Sequence, residues 1–409
     1  MFAVRKDSPL VPFCLLVLLI ICWMEVDLYA PSFPQIRLYF NTTEEMIQWS
    51  LSINFIGYFF SSLLCGPLAD SYGRKPIFVG GSLIFVLGSL LCVAAPNLET
   101  FLAGRLLQGL GVSAPTTIAL AIIGDLYQGD TQVRMMSFMN SVITITMALA
   151  PIIGAYLSEA FGWRSNFMVI FAGSLIGTLI AIFILPETMD KDHRQRFSLP
   201  QVMKGYKKLI TNKLFFSTTM GLALLVTPYF VFIAIIPFLF MDYLKLPLSQ
   251  YVFYQGSVVA LFALLSLAVP LLVGKFDGNK LNAWSSILSF VATVLLCLHG
   301  MFLPDQAFGL TALMCLYVVG IVWPSAFLFT ATLEIYPELR GSASALFQAL
   351  RMLMMAVAIF ASGYFYEDKF LPVGVLILLL LVLALPLLLY SVYLQKKLDL
   401  KSSGPVSMH

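Results

Sequence analysis

The amino-acid sequence predicts an all-α membrane protein with twelve transmembrane helices in two six-helix bundles. Three observations point there. Only 11% of the 409 residues are charged and 60% are hydrophobic, whereas a soluble domain carries about 25% charged residues. Apolar stretches long enough to cross a bilayer, about 20 residues each, recur along the whole chain. One long polar stretch divides them six and six.

The first stretch, residues 10–30, reads as a membrane span and not as a cleaved leader. It is long, carries Glu25 and Asp27, and ends in Pro31 and Pro34 instead of a small-residue cleavage site. Further spans fall at 48–69, 77–95, 98–121, 136–157 and 165–185. The polar stretch 186–213 follows, with Lys191, Arg194, Arg196, Lys204, Lys207, Lys208 and Lys213. Within it, Val202, Met203, Tyr206, Leu209 and Ile210 recur at helical spacing opposite lysines. That pattern fits an interfacial helix on an anionic leaflet and equally a solvated linker. The second set of spans lies at 214–240, 251–273, 281–302, 306–330, 341–363 and 372–394. The expected organisation is an N-terminal bundle over 1–186, a cytoplasmic linker over 187–213 and a C-terminal bundle over 214–409 that ends in a short basic tail.

Orientation follows from the basic residues, which concentrate in cytoplasmic segments. With a cytoplasmic amino terminus, only Arg37, Arg164, Lys245 and Lys369 of the 24 lysines and arginines fall outside, and Arg105 and Arg351 lie within spans. Both termini are therefore expected in the cytoplasm of a multi-pass protein. A net charge of +3 is too small to suggest a nucleic-acid partner. The six cysteines lie in apolar runs without metal-ligand spacing, and His193, His299 and His409 are scattered. No metal or cofactor is expected. No Gly-rich phosphate loop or nucleophile–base arrangement stands out, so the pattern does not read as an enzyme.

Ionisable groups inside a membrane are rare and costly, by about 2.5–3.5 kcal/mol on insertion scales, which makes them the best pointers to a site. Glu25, Asp27, Arg105 and Arg351 stand out. Pro31 cannot donate to the carbonyl of Asp27, nor Pro34 to that of Ala30, so the first helix is expected to kink or unwind close to Asp27. An acid beside a broken membrane helix is a natural cation or proton site. Arg105 and Gln108 share a helix face at i, i+3, at a depth comparable to Asp27. They could form an exchangeable partner for that acid or a permanent structural pair. Arg351 falls near mid-membrane, to contact substrate or to neutralise an acid or a freed carbonyl. Tyr29, Tyr58, Tyr229 and Trp323 are candidates to line a cavity for an amphipathic substrate.

The turn after the second span reads Gly66-Pro-Leu-Ala-Asp70-Ser-Tyr-Gly73-Arg74-Lys75. Here Gly66 is expected to allow close helix approach, Gly73 a tight turn, and Asp70 a bond to a neighbouring helix amino terminus. Arg74 can reach Asp125, a latch for the cytoplasmic side. Pro151 and Gly154 sit in a strip of small residues in the fifth span, suited to sliding contacts.

Gly66, Asp70, Gly73, Arg74 and Lys75 resemble the GxxxD(R/K)xGR(R/K) loop of the major facilitator superfamily, with Ser71 in place of the first basic residue. Arg105-x-x-Gln108-Gly109 is similar to the fourth-helix motif of its proton-coupled members. Asp27-Leu-Tyr29-Ala-Pro31-Ser-Phe-Pro34 resembles the first-helix segment of the bicyclomycin-resistance-like drug:proton antiporters. The likeness continues through Arg134–Phe138, Ala150–Gly154, Pro186–Thr188 and Pro337–Arg351. In the helix-five antiporter motif only Pro151 and Gly154 agree, and Thr146, Ala150 and Ala155 replace glycines. Glu25 is an acid in addition to the subgroup's own. The resemblance implies the two-bundle fold, alternating access and proton-driven export of drugs or of an endogenous metabolite such as a siderophore, from a bacterial inner membrane. Asp27 would then be the coupling acid, Arg105 its partner, Asp70 with Arg74 the gate, and Glu25 an accessory acid for cationic substrates. The expected partners are a small-molecule substrate, protons and membrane lipids, and the expected state is a monomer. A proton-coupled importer on the same scaffold is the alternative within the class. A non-transporting membrane receptor is the alternative outside it.

Overall fold

A computed structural model of the chain describes residues 10–189, 194, 196–272, 275, 278–367 and 369–402; Lys191, His193 and His409 lie outside them. Twelve helical stretches among the described residues are long and apolar enough to cross a membrane. The first comprises α1 (Leu10–Tyr29), a 3-10 turn (Ala30–Ser32) and α2 (Phe33–Phe40). Then come α3 (Glu44–Tyr72), α4 (Arg74–Ala94), α5 (Leu98–Leu126), α6 (Gly129–Phe161) and α7 (Arg164–Ile184). The short α8 (Leu199–Thr211) leads to α9 (Lys213–Pro237), which continues through one π-helical segment, Phe238–Tyr243. The series closes with α10 (Leu248–Leu272), α11 (Gly278–Phe302), α12 (Ala307–Glu334), α13 (Arg340–Phe365) and α14 (Phe370–Ser402).

Helix starts follow local chemistry. Thr43 accepts from the Met46 N–H at 3.3 Å, Asn97 from Thr100 at 2.9 Å and Asn212 from Phe215 at 2.9 Å. Each satisfies an amide that the first helical turn leaves without a partner. The expected break at Asp27 is displaced. Here α1 stays regular to Tyr29, and Pro31 and Pro34 occupy the first positions of the 3-10 turn and of α2. At those positions a missing N–H removes no bond of the new helix, so the first span runs on to Phe40 instead of ending near residue 30.

The first six spans pack on one another, chiefly α1 with α6 and α7, and α5 with α3 and α4. The last six do the same, chiefly α9 with α13 and α14, and α12 with α10 and α11. The two groups meet where α3 runs along α13 and α6 along α10, with α9 also touching the 3-10 turn after α1. Close approaches sit at particular glycines. A Cβ on Gly109 would meet the Asn54 carbonyl, and one on Gly154 the Leu28 carbonyl. Gly66, expected to be such a contact, has nothing within 4 Å of an added Cβ, because no helix crosses α3 there.

The amphipathic α8 is anchored on protein. Tyr206 and Leu209 are buried against Phe215, Ala343 and Leu346, and the Tyr206 hydroxyl donates to the Leu63 carbonyl at 2.7 Å. Met203, at 56% exposure, stays outside. The helix therefore touches both halves, so its buried side chains are taken up by protein instead of lipid.

Candidate functional site at the seam of the two halves

Because α1 is regular through residue 29, Glu25 and Asp27 point about 200° apart. Both are buried, at 1% and 3% exposure, and they face different surroundings. Glu25 turns into the first half. Its Oε1 accepts from Arg105 Nη1 at 2.5 Å and from Asn54 Nδ2 at 2.6 Å. Asn54 Nδ2 also donates to the Arg105 carbonyl at 3.2 Å. Arg105 Nη1 donates further to Gln108 Oε1 at 2.6 Å, and Gln108 Nε2 to Ser89 Oγ at 2.9 Å. The guanidinium lies 4.4 Å from the centre of the Tyr29 ring, whose hydroxyl meets Ser50 at 3.2 Å. Helices α1, α3, α4 and α5 are thus stitched by one fully buried polar network with an internal ion pair.

The expected pairing of Arg105 with Asp27 is corrected: its carboxylate partner is Glu25. The reason is rotation about α1, since unwinding that could have turned both acids the same way does not occur. Glu25, Tyr29, Arg105 and Gln108 are all at most 1% exposed, packed within the first six spans, and none of them lines the cavities described below.

Asp27 faces the other half. Among the described residues its carboxyl group makes no side-chain hydrogen bond or ion pair. Tyr229 of α9 and Tyr251 of α10 lie within its electrostatic reach. The Tyr229 hydroxyl is buried without a hydrogen-bond partner among the described residues, and the Tyr251 hydroxyl donates to Gln255 Oε1. One turn before Asp27, on the same face, Trp23 lines a small cavity of about 190 Å³ with Leu222 and Val226 of α9, Ser325 and Phe329 of α12, and Arg351 of α13. Arg351 has no ion-pair partner among the described residues. Its Nε is buried without an acceptor among those residues, and Tyr58, bonded to Thr116 at 2.9 Å, lies within its electrostatic reach. Among the described residues the seam therefore presents an acid, Asp27, and a base, Arg351, each without an ion-pair partner, on opposite halves. Trp323 is not in this cavity; it sits on the other face of α12, in the wall of a separate one.

The loop residues converge at one end of the bundle. Gly73 adopts φ +106° between α3 and α4, a conformation that L side chains rarely take. Arg74 Nη1 pairs with Asp70 at 2.6 Å and its Nε with Asp125 at 3.2 Å. Its backbone N–H donates to Glu187 at 2.9 Å, Thr188 donates to Asp125 at 2.9 Å, and Lys75 to the Ile182 carbonyl at 2.8 Å. Asp70 caps no neighbouring helix: it is 51% exposed at its side chain and bonded to Arg74. A cavity of about 200 Å³ separates it from Leu339 and Ser342 of the second half. The latch ties α3, α4, α5 and the segment after α7, all within the first half.

Besides the bridge made by α8, further ties between the halves lie at the opposite end. Arg37 pairs with Asp242 at 3.0 Å, Ser362 donates to Gln48 at 2.9 Å, and Trp49 stacks on Phe360 at 4.7 Å. Pro151 and Gly154 lie in α6, with Gly154 against α1. The residues that sequence reasoning missed are Asn54, Ser89, Tyr251, Gln255 and the Arg37–Asp242 pair. Uncharged polar groups inside spans, which hydrogen-bond across helices in membranes, were the available signal for the first four.

Twelve spanning helices in two packed groups, with uncompensated charges at their seam, define a polytopic membrane transporter. The family model of the Major Facilitator Superfamily matches residues 15–359, and the chain belongs to that superfamily. The multidrug resistance protein MdtL of Vibrio parahaemolyticus is 29% identical over 283 residues, 69% of this chain and 71% of that protein. MdtL of Klebsiella pneumoniae is 28% identical over 289 residues, 70% and 72% of the two chains. Among solved structures, a D-xylose–proton symporter superposes with a TM-score of 0.72 at 15% identity, covering 92% of this chain and 96% of the other. The human organic anion transporter MFSD10 gives 0.62 at 15% identity, covering 95% and 100%. These two likenesses bear on the fold alone.

Proposed function

We propose that this transporter is a proton-coupled exporter of small amphipathic molecules, of the bicyclomycin-resistance-like subgroup, acting by alternating access in a bacterial inner membrane. The observation that carries the reading is Asp27: a buried acid without a side-chain partner among the described residues, on the face of α1 that meets the second half. A carboxylate in that position is stabilised by a bound proton or a cationic substrate, and one site cannot hold both. Exchange of one for the other across the membrane is antiport. The names of the MdtL relatives support a drug-like substrate.

The bias of lysine and arginine supports cytoplasmic termini, which makes the Asp70 end cytoplasmic and the Arg37 end external. In that orientation the external side is held shut by Arg37–Asp242 and Gln48–Ser362, and substrate reaches the seam from the cytoplasm. Substrate contacts are assigned to Asp27, Tyr58, Tyr229 and Arg351. The Glu25–Arg105 pair positions α1 and keeps Asp27 as the one exchangeable charge. The Asp70–Arg74–Asp125 cluster holds the first half rigid while the halves rock. The test is uptake into everted vesicles driven by an imposed pH gradient. Asp27→Asn is expected to abolish gradient-driven accumulation in a folded protein. Unchanged accumulation rejects the assignment of Asp27, and accumulation only in right-side-out vesicles makes the protein an importer.

A further inference from the structure

Helix α12 separates two cavities. Ser325 and Phe329 face the seam, whereas Trp323 and Phe327 face a larger space between α9, α10, α12 and α14. Residues two apart on a helix point about 200° from each other, so no side chain is shared between the two spaces. The larger cavity holds about 570 Å³, within the range of about 300–1,000 Å³ usual for drug-sized ligands. It lies toward the Asp70 end, where α9 begins and α12 ends.

Its wall has a definite chemistry. Trp323 is 7% exposed, and its indole N–H is buried with no acceptor among the described residues. A buried donor left unpaired is unfavourable, and an acceptor on a bound molecule would satisfy it. The Trp323 and Phe327 rings lie 6.1 Å apart and 14° from parallel, a flat apolar surface. Thr218 and Ser391 are 3% exposed, and their hydroxyls donate to the carbonyls of Leu214 and Leu388, leaving their oxygens as acceptors. Glu334 is the one charged residue in the wall among the described residues.

We propose that this cavity is a second ligand site, within the C-terminal half and distinct from the seam, for amphipathic organic cations with a flat aromatic body and a hydrogen-bond acceptor. The body stacks on Trp323 and Phe327, the acceptor takes the indole proton, and the positive charge lies toward Glu334. Cations over aromatic faces are favoured, and the acidic rim disfavours an anionic lipid headgroup. The inference does not depend on the direction of transport or on Asp27.

The test is equilibrium binding of rhodamine 6G, a planar cation with an ester acceptor, to the purified full chain. Two bound molecules per chain are expected. Ala331→Trp, which fills the cavity, is expected to leave one. Trp323→Phe, which keeps an aromatic ring and removes the donor, is expected to weaken one site about threefold to tenfold and leave the other unchanged. Asp27→Asn should leave the site at Trp323 intact, so a failed coupling assignment is told apart from a failed second site. A stoichiometry of one that neither cavity variant alters overturns the proposal. So does displacement of the Trp323-sensitive molecule by phosphatidylglycerol at equimolar concentration, because the space is then a lipid slot.

Discussion

Glu25→Gln separates the two acids of α1 by stability. Glutamine keeps the shape and an acceptor oxygen for Asn54 and Arg105 but removes the negative charge. Arg105 is 0% exposed, its Nε and Nη2 already lack partners among the described residues, and Glu25 is its sole carboxylate partner there. Removing one member of a buried ion pair costs about 3–5 kcal/mol, because the other charge is left uncompensated. The lower bound alone is a factor of about 100 in the folded-to-unfolded ratio. Asp27→Asn removes a charge that has no partner, so no such penalty arises. The assay is thermal unfolding in detergent, read by a thiol-reactive fluorophore on the buried Cys14, Cys22, Cys65 and Cys92. Glu25→Gln is expected to unfold at clearly lower temperature and Asp27→Asn at or above the wild-type value. Glu25→Gln with Arg105→Gln should recover most of the loss, since replacing both members of a buried pair is often near neutral. Equal melting of wild type and Glu25→Gln, together with a destabilised Asp27→Asn, refutes the division of roles.

Gly109→Ala drives a Cβ into the Asn54 carbonyl, whereas Gly66→Ala meets nothing within 4 Å; the first should lower the melting temperature and the second leave it unchanged. Arg74→Ala, which releases Asp70 and Asp125, is expected to slow turnover more than it weakens substrate binding, and a large loss of affinity at normal turnover contradicts this. Arg37 and Asp242 are 28% and 21% exposed, so their pair is worth about 0–1 kcal/mol. Arg37→Ala should therefore shift the population open at that end by up to about fivefold, seen as faster labelling of Ser362→Cys by an impermeant maleimide; an unchanged rate removes the pair from the closure.

Element number and order were legible because each span is a long apolar run bounded by caps and turns that act locally. The contact of Arg74 with Asp125 was legible for a related reason, since Asp125 ends a span whose length carries it to the same surface; the pair with Asp70 was not, because a carboxylate beside a turn serves equally as a helix cap. What could not be read was rotation about a helix axis. The face that Trp323 presents depends on which neighbours α12 acquires, and no local pattern encodes them. The same holds for glycines, since Gly66 and Gly109 look alike in sequence and only Gly109 meets a crossing backbone. Asn54 carries no charge, so nothing in its local sequence sets it apart from other polar residues in the spans. An amide that bridges Glu25 and the Arg105 carbonyl shows how an uncharged group can carry the same constraint.

On the proposed assignment of Asp27 as the coupling acid, the first helix illustrates why a second acid can strengthen such a device without sharing its chemistry. A buried arginine in α5 needs a counter-ion, and the nearest acid could in principle have been Asp27. Had it been, the proton or substrate would have to displace a guanidinium held at hydrogen-bond distance, and each cycle would break a buried ion pair. With Glu25 taking Arg105 from the opposite face of α1, Asp27 is released from that structural duty. Across the seam, Arg351 of α13 has no ion-pair partner among the described residues. The electrostatic gain from bringing the halves together around Asp27 then depends on what it binds. On the proposed assignment of Asp27, its neutral, protonated form and its cation-loaded form would present Arg351 with different fields, and that difference would let occupancy at the seam bias the approach of the two halves.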